Sequence, residues 1–328
     1  MIAIPAHLSP ADLVEPGPSE TRREFSGETM GTTWSAALYA CQTLPDELFL
    51  RRIQWTLEGV VSQMSHWRPD SALSEYNRAP AGRWQVLPDE FRCVLESALE
   101  IARLSEGAFD PSLGEAADQW GFGPSGPRGS PPLAAELVPP LHDWRHIELD
   151  PKAGRALQPG EVRLDFSSIA KGFAVDLLAA LLEQLGASSY LVEIGGELRA
   201  RGVKAGGQPW WVWIEPPPGC PLKAKVALCG KAVATSGDYR FRFEHEGTSY
   251  AHTLDPRTRA PLINPPSSVT VVHDRCMDAD AWSTALMVLG VDSGLALCAR
   301  HEIAALFLVR ESGGWRAVAS PAFGAMLV

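Results

Sequence analysis

The stretch RLDFSSIAKGFAVDLLAALLEQLGASSYLVEIGG, Arg163 to Gly196, sets the reading of the whole chain. Leu164-Asp165-Phe166 reads as the end of a strand. Ser167-Ser168 then offers a helix N-cap, and apolar residues at Phe173, Leu177, Leu178, Leu181, Leu182 and Leu185 recur at helical spacing. Gly186 closes that helix, and Tyr190 to Ile194 reads as a buried strand ending in Gly195-Gly196. The unit is strand, helix, strand, with Asp165, Ser167, Ser168 and Lys171 crowded around the first helical turn. Free N–H groups and partial positive charge at a helix start suit phosphate, and Lys171 adds a full charge. Asp and Ser at a helix start also serve as plain caps, so this stretch alone leaves site and cap both open.

Composition narrows the function classes. A chain of 328 residues holds one large domain or two ordinary ones, and 45% hydrophobic with 21% charged residues describes a core-forming protein. A net charge of −10 and a pI near 5.3 argue against nucleic acid or an anionic membrane surface as partner, so any phosphate site is local. The six cysteines are scattered, without a CxxC pair or a histidine at zinc spacing, which disfavours a zinc site or a disulfide scaffold. No segment reaches the roughly 18 apolar residues of a membrane span. Residues 1–22 carry no basic n-region, signal-length apolar run or lipid-attachment cysteine. They read as a loose leader to a single domain over 23–328, with the cytoplasm as expected location.

Outward from the central unit, Phe25 to Leu38 reads as a strand pair turning at Gly27-Glu28. Asp46 to Met64 and about Pro88 to Ser105 read as helices. Gly123 to Pro140, rich in Pro and Gly, reads as a surface loop or lid. Trp210 to Glu215, Lys225 to Leu228, Ala232 to Phe243 and Ser249 to Leu254 alternate like strands of one continuing sheet. Strand Ser268 to His273, helix Ala279 to Leu289 closed by Gly290, a second helix and strand Ala304 to Val309 complete the chain. No period of 20 to 50 residues repeats, which excludes a solenoid.

Four further stretches carry chemistry-bearing residues. In DADAWSTALMVLG, Asp280 precedes Ser283 and Thr284 by three and four residues, so their oxygens share one side of a helix. One carboxylate with hydroxyls suits a partial Mg²⁺ shell completed by water and substrate phosphate, and it equally suits a capped helix with two ordinary hydroxyls. In AHTLDPRTRAP, Asp255 reads as the acceptor of a tight turn, while His252 fits either a core histidine or a general base. Gly107 to Pro111 is a small-residue turn that admits a flat ligand, with Asp110 as acceptor. In Thr29-Met30-Gly31-Thr32, soft Met30 is suited to cover an aromatic ring.

MGTTW, MSHWRPDSALSEYN, GAFDPSLGEAADQWGFG, LDFSSIAKGFAVD, YLVEIGGEL, ATSGDYR, HTLDPRT and DADAWSTALMVLG occur in this order from about Glu24 to Leu327. The chain closely resembles the ApbE family, FAD:protein FMN transferases long labelled thiamine-biosynthesis lipoproteins. The resemblance implies an enzyme that binds FAD and Mg²⁺, cuts the pyrophosphate, joins FMN to a Thr or Ser hydroxyl of a target protein and releases AMP. It also implies that Met30, Trp67, Ala108, Phe109, Asp110, Asp165, Lys171 and Leu254 contact FAD, and that Ser168, Asp280, Ser283 and Thr284 surround the metal. His252 is then the candidate base, and Asp255 either holds its ring or builds the turn. The alternatives on the same site are an FAD pyrophosphatase giving FMN and AMP, and a non-catalytic flavin-binding protein. Three features depart from the family: Arg259 stands where glycine usually follows DPRT, Ser283 stands where some relatives have an acid, and the signal or lipobox is missing. The family habit of export makes the periplasm the alternative location.

The expected architecture is α+β: a mostly antiparallel sheet with helices on one side, a smaller lobe formed by the N-terminal region and the 107–150 stretch, and the flavin in the cleft between.

Overall fold

The computed structural model of the chain describes residues 1–41, 45–133, 136–137 and 140–328. Of the Gly123–Pro140 segment, residues 134, 135, 138 and 139 lie outside the described residues. An eight-stranded antiparallel sheet organises the rest. In chain order its strands are β1 (Glu20–Thr29), β2 (Thr32–Cys41), β3 (Ser189–Ile194), β4 (Glu197–Arg201), β5 (Ala232–Gly237), β6 (Ser268–His273), β7 (Ala304–Glu311) and β8 (Gly314–Ala319). In space they run β8-β7-β6-β5-β4-β3-β2-β1, each antiparallel to its neighbours. Sequential strands are therefore neighbours throughout, and the helices are long excursions between them.

Side-chain alternation assigns the two faces. Ala305 and Phe307 of β7 join one core with Trp34, Ala36 and Leu38 of β2 and Val192 of β3, while Leu306 and Leu308 join a second core on the opposite face. Four helices cover the first face: α1 (Asp46–Met64), α2 (Asp89–Leu104), α3 (Ala170–Gln184) and α4 (Cys276–His301). The α1 helix forms as expected and buries Phe49, Ile53, Leu57, Val60 and Met64. Gly290 leaves helical geometry (φ 72°, ψ −174°), so α4 consists of two arms, as the glycine suggested. A window of α4 has the mean hydropathy (1.4) of a membrane span, but more than half of that window is buried in the fold and neither arm reaches roughly 20 residues.

The second face is covered differently from expectation. Trp210–Ile214 and Ala224–Leu228 do not continue the main sheet; they pair with each other and, in parallel, with Ile2–Ala3 in a separate three-stranded sheet laid over Val233, Val272, Leu306 and Leu308. The N-terminal residues read as a loose leader thus place Ala3 in this core, and Ile4 N donates to Met326 O. Ala232 to Phe243 breaks after Gly237; Arg242–His245 instead forms a two-stranded ribbon with Thr248–Ala251. The turn between β1 and β2 falls at Met30-Gly31 (φ 50° and 71°), three residues beyond the expected Gly27-Glu28, because Gly27 packs against Trp34 inside the hairpin. The smaller lobe draws Leu113, Ala116, Ala117, Trp120 and Phe122 together with Phe243, Tyr250 and Leu254, whereas the N-terminal hairpin belongs to the main sheet.

The junction of α3 and α4 positions the site. Neither helix is capped by its own N-cap side chain; the N-cap positions are Ile169 and Arg275. Each instead borrows a carboxylate from the other. Asp176 of α3 accepts from Cys276 N and Met277 N (3.0 and 2.9 Å), and Asp280 of α4 accepts from Gly172 N (3.1 Å). All three bonds place negative charge on a helix's positive end. The approach is close enough that a Cβ on Gly172 would stand 2.3 Å from Cys276 O. Gly172→Ala must therefore push backbone apart, and we expect a loss of about 1–3 kcal/mol or more in chemical denaturation. An unchanged midpoint would show that the two helix starts are not tightly docked.

Candidate active site

Lys171 lies at the centre of the junction. Its Nζ is 3.3 Å from Glu197 Oε1 on β4 and 3.7 Å from Asp280 Oδ2, and donates to Ser167 O at 3.4 Å. Glu197 and Asp280 are buried, 4% and 3% exposed. Burial pushes the Glu197 carboxyl up to about 7, against the pull of Lys171, and Asp280 is raised for the same reason. The Lys171 ammonium is raised in turn, because the two carboxylates outweigh its own desolvation. Two buried carboxylates thus face one partly exposed ammonium. Ser168 sits in the turn whose Ser167 carbonyl binds Lys171, and Lys171 in turn faces Asp280.

The local structure before α3 differs from the expected strand. Leu164–Phe166 is extended but lies outside the sheets. The Asn77 side chain bonds both Leu164 N (2.8 Å) and Leu164 O (2.9 Å), and Asp165 N donates to Pro111 O (2.8 Å). Ser167 and Ser168 do not cap α3; Asp165 accepts from Ser167 N (2.8 Å) and organises the turn. His66 Nδ1 is 3.2 Å from Asp165 Oδ1. Burial lowers the His66 pKa, but the hydrogen bond and charge of Asp165 win, so it is raised; Asp165, despite burial, is lowered by His66 and by the Ser167 bonds.

On α4, Asp280, Ser283 and Thr284 share one side, with a qualification. The helix begins at Cys276, three residues earlier than expected, so Asp280 stands in its second turn. Ser283 is fully buried, donates to Asp280 O (2.8 Å) and meets Ser236 Oγ at 2.6 Å; Ser236 also lies 3.1 Å from Thr284 Oγ1. Among the described residues, no group of three or more His, Cys, Asp and Glu is placed to hold a metal. The oxygen set here is one carboxylate with hydroxyls.

The remaining candidates lie on turns and in the smaller lobe. The Met30 turn lies against Gly195-Gly196: Gly195 N donates to Thr33 O (3.1 Å), and a Cβ on Gly195 would be 3.0 Å from Thr32. Trp67 is 59% exposed beside His66, ring centroids 5.3 Å apart. The Gly107–Pro111 segment is tied to Asp165 through Pro111 O; the Phe109 ring is in the helix-side core, which leaves only its backbone for a ligand. Asp110 Oδ1 accepts from Ser112 N and Oγ, and burial nonetheless raises its pKa. Leu254 is buried in the smaller lobe with Trp120. A cavity of about 640 Å³ is lined by His66, Asn77, Asp118 and Asp165, and another of about 320 Å³ by Gly107, Asp110, Asp143 and the Pro256–Arg259 turn.

His252 is half-buried, and its Nδ1 lies 3.2 Å from Phe241 O. A carbonyl only accepts, so Nδ1 carries the proton and Nε2 the lone pair. Burial lowers its pKa, and it feels both the Lys171 and Asp165 charges. Asp255 does not hold this ring: its carboxylate is spent on Arg257 N, Nε and Nη2 (2.9, 2.9 and 2.7 Å). Arg259 takes the left-handed conformation of the usual glycine (φ 56°), and Trp120 Nε1 donates to its carbonyl at 2.9 Å.

The ApbE family pattern matches residues 30–307. The chain belongs to the ApbE family. It is 36% identical over 311 residues to an FAD:protein FMN transferase of Haemophilus influenzae (91% of this chain, 90% of that one), and 35% identical over 306 residues to one of Vibrio cholerae (91% of each). Its fold matches the apo crystal structure of the Pseudomonas stutzeri flavinyl transferase ApbE with a TM-score of 0.85 and 38% identity, covering 94% of this chain and 97% of that one. The V. cholerae flavin transferase ApbE structure gives 0.84 and 32%, covering 94% and 100%. Within this ApbE fold, sequence reasoning gave no role to Glu197, Ser236 or His66. Each lay in a quoted motif, but its function emerges only from pairing with residues far along the chain.

The sign of Glu197's contribution follows from linkage. An unfolded glutamate loses its proton near 4.5, whereas the folded one holds it to about 7, so the folded state binds more protons between those values. Stability of metal-free protein should fall as pH rises from about 5 to 8, and Glu197→Gln should shrink that fall. Thermal melts across this range check it; an equal fall in the variant would contradict the assignment.

Proposed function

We propose that this chain is an FAD:protein FMN transferase that uses Mg²⁺, with FAD as group donor and a Thr or Ser hydroxyl of a target protein as acceptor. The observation that carries the reading is the reciprocal docking of two helix starts around Lys171 and Asp280. One ammonium, acidic oxygens and serine and threonine hydroxyls meet there, as a diphosphate with a counter-cation requires.

The residues fit the ion. Glu197 and Asp280 facing Lys171 leave an excess of buried negative charge, and Glu197 Oε2 is sealed without a hydrogen bond among the described residues. Asp280, Thr284 and Ser168 would hold Mg²⁺ through hard oxygens, with Ser283 and Ser236 setting their rotamers from behind. When bound, the ion supplies positive charge beside the diphosphate. Lys171 holds phosphate oxygens. His252 Nε2 takes the proton of the acceptor hydroxyl. That oxygen forms a bond to the FMN phosphorus as the bond to the bridging oxygen breaks, and AMP leaves with the bridging oxygen. Asp165, with His66, fixes the turn that carries Ser168. Met30, Trp67, the Ala108–Asp110 backbone and Leu254 supply contacts to the two ring systems of FAD.

Asp280→Ala is expected to lower adduct formation and AMP release by at least 10³-fold with the fold intact by circular dichroism, and EDTA should abolish activity until Mg²⁺ is restored. His252→Gln should cost 10²–10⁴-fold in kcat with FAD affinity kept. Full activity in Asp280→Ala would remove the metal assignment. FMN and AMP formed with no protein adduct, whatever target is offered, would make water the acceptor.

A further inference from the structure

The candidate base is flanked by two phenylalanines of unequal exposure. The His252 ring meets Phe122 edge-on (6.4 Å, 73°) and Phe241 edge-on (5.6 Å, 79°). Phe122 packs against the smaller lobe's core, beside Phe243. Phe241 is 66% exposed, a large apolar side chain left in water at the one histidine the reaction uses. Scattered exposed hydrophobes need no explanation, but position makes this one specific. An acceptor hydroxyl must come within about 3 Å of His252 Nε2, so the residues next to it must pass over the rings that flank His252.

The backbone there is equally suited. Phe241 leads into Arg242–His245, which pairs with Thr248–Ala251 alone, so each strand of the ribbon keeps one unpaired edge among the described residues. Such an edge accepts an extended chain by strand addition. Arg242 is exposed, forms no salt bridge among the described residues, and its charge reaches Asp238.

We propose that the exposed Phe241 ring and the Arg242–His245 edge form the docking surface for the acceptor segment of the target protein, which binds extended with an apolar side chain next to its Thr or Ser against Phe241. The inference rests on the transferase reading. It assigns acceptor recognition to the smaller lobe's ribbon and leaves FAD to the helix junction.

The test uses the full-length protein with FAD, Mg²⁺ and a library of decapeptides having a central Thr and randomised flanks, with FMN adducts read by mass spectrometry. Wild type should enrich peptides with an apolar residue beside the Thr. For the best peptide, Phe241→Ala should raise the acceptor KM at least tenfold with kcat changed less than threefold and lose the enrichment, and Phe241→Trp should restore both. A fall in kcat at constant acceptor KM would mean that Phe241 only steadies His252 and would overturn the docking role, as would identical peptide selection by the two proteins. FMN and AMP released with no peptide or protein adduct would sink the transferase reading, whereas adducts formed without any apolar preference beside the Thr would overturn the docking surface alone.

Discussion

Two helices that cannot cap themselves hold this structure's site together. The α3 and α4 starts have Ile169 and Arg275 as N-caps, and their free N–H groups are met by Asp280 and Asp176 across the interface. This exchange fixes the helices' spacing to that of a backbone contact, which only Gly172 permits. Arg199 from β4 pairs with Asp176 and anchors the same junction to the sheet. Lys171 and Asp280 reach their positions because of this arrangement. The site therefore occupies a tightly docked junction, and a reacting diphosphate needs such preorganised charge.

That rigid centre contrasts with what surrounds it. The groups expected to meet the flavin and adenine rings come from turns and from the smaller lobe, where Asp165 is tied to Pro111 O and Trp120 to Arg259 O. A division of labour follows: the helix junction handles charge, and the turns handle shape. Arg259 illustrates how tolerant the second part is. It accepts the left-handed backbone at a cost of order 1 kcal/mol or more, and the turn keeps its form because Asp255 binds Arg257 and the Asp255 carbonyl accepts from Arg259 N at 2.7 Å.

Much of this was legible in the sequence. Helical spacing marked α1 and α3, Gly290 marked the break in α4, and β3, β6 and β7 read as strands. What failed had a tertiary cause. Leu164–Phe166 looks like a strand, but Asn77 and Pro111 take its backbone groups. Trp210–Ile214 alternates as a main-sheet strand would, yet its apolar face covers that sheet from outside. Ser167 and Ser168 have the right chemistry for a cap, but Asp165 organises that turn instead. The Asp280–Ser283–Thr284 spacing was readable from helix geometry alone. Glu197 and Ser236 were not, since nothing local distinguishes a strand glutamate or serine that will meet Lys171 or Thr284 from one that faces solvent.

The central claim is that diphosphate and cation occupy one cradle between the two helix starts, and thermodynamic reciprocity tests it most directly. Calorimetric titration should give FAD affinity with and without saturating Mg²⁺, and Mg²⁺ affinity with and without FAD. The account predicts that each tightens the other by the same factor, at least tenfold, and that riboflavin, which lacks phosphate, shows no such coupling. A coupling factor near one for FAD, or an equal factor for riboflavin, would contradict a shared site.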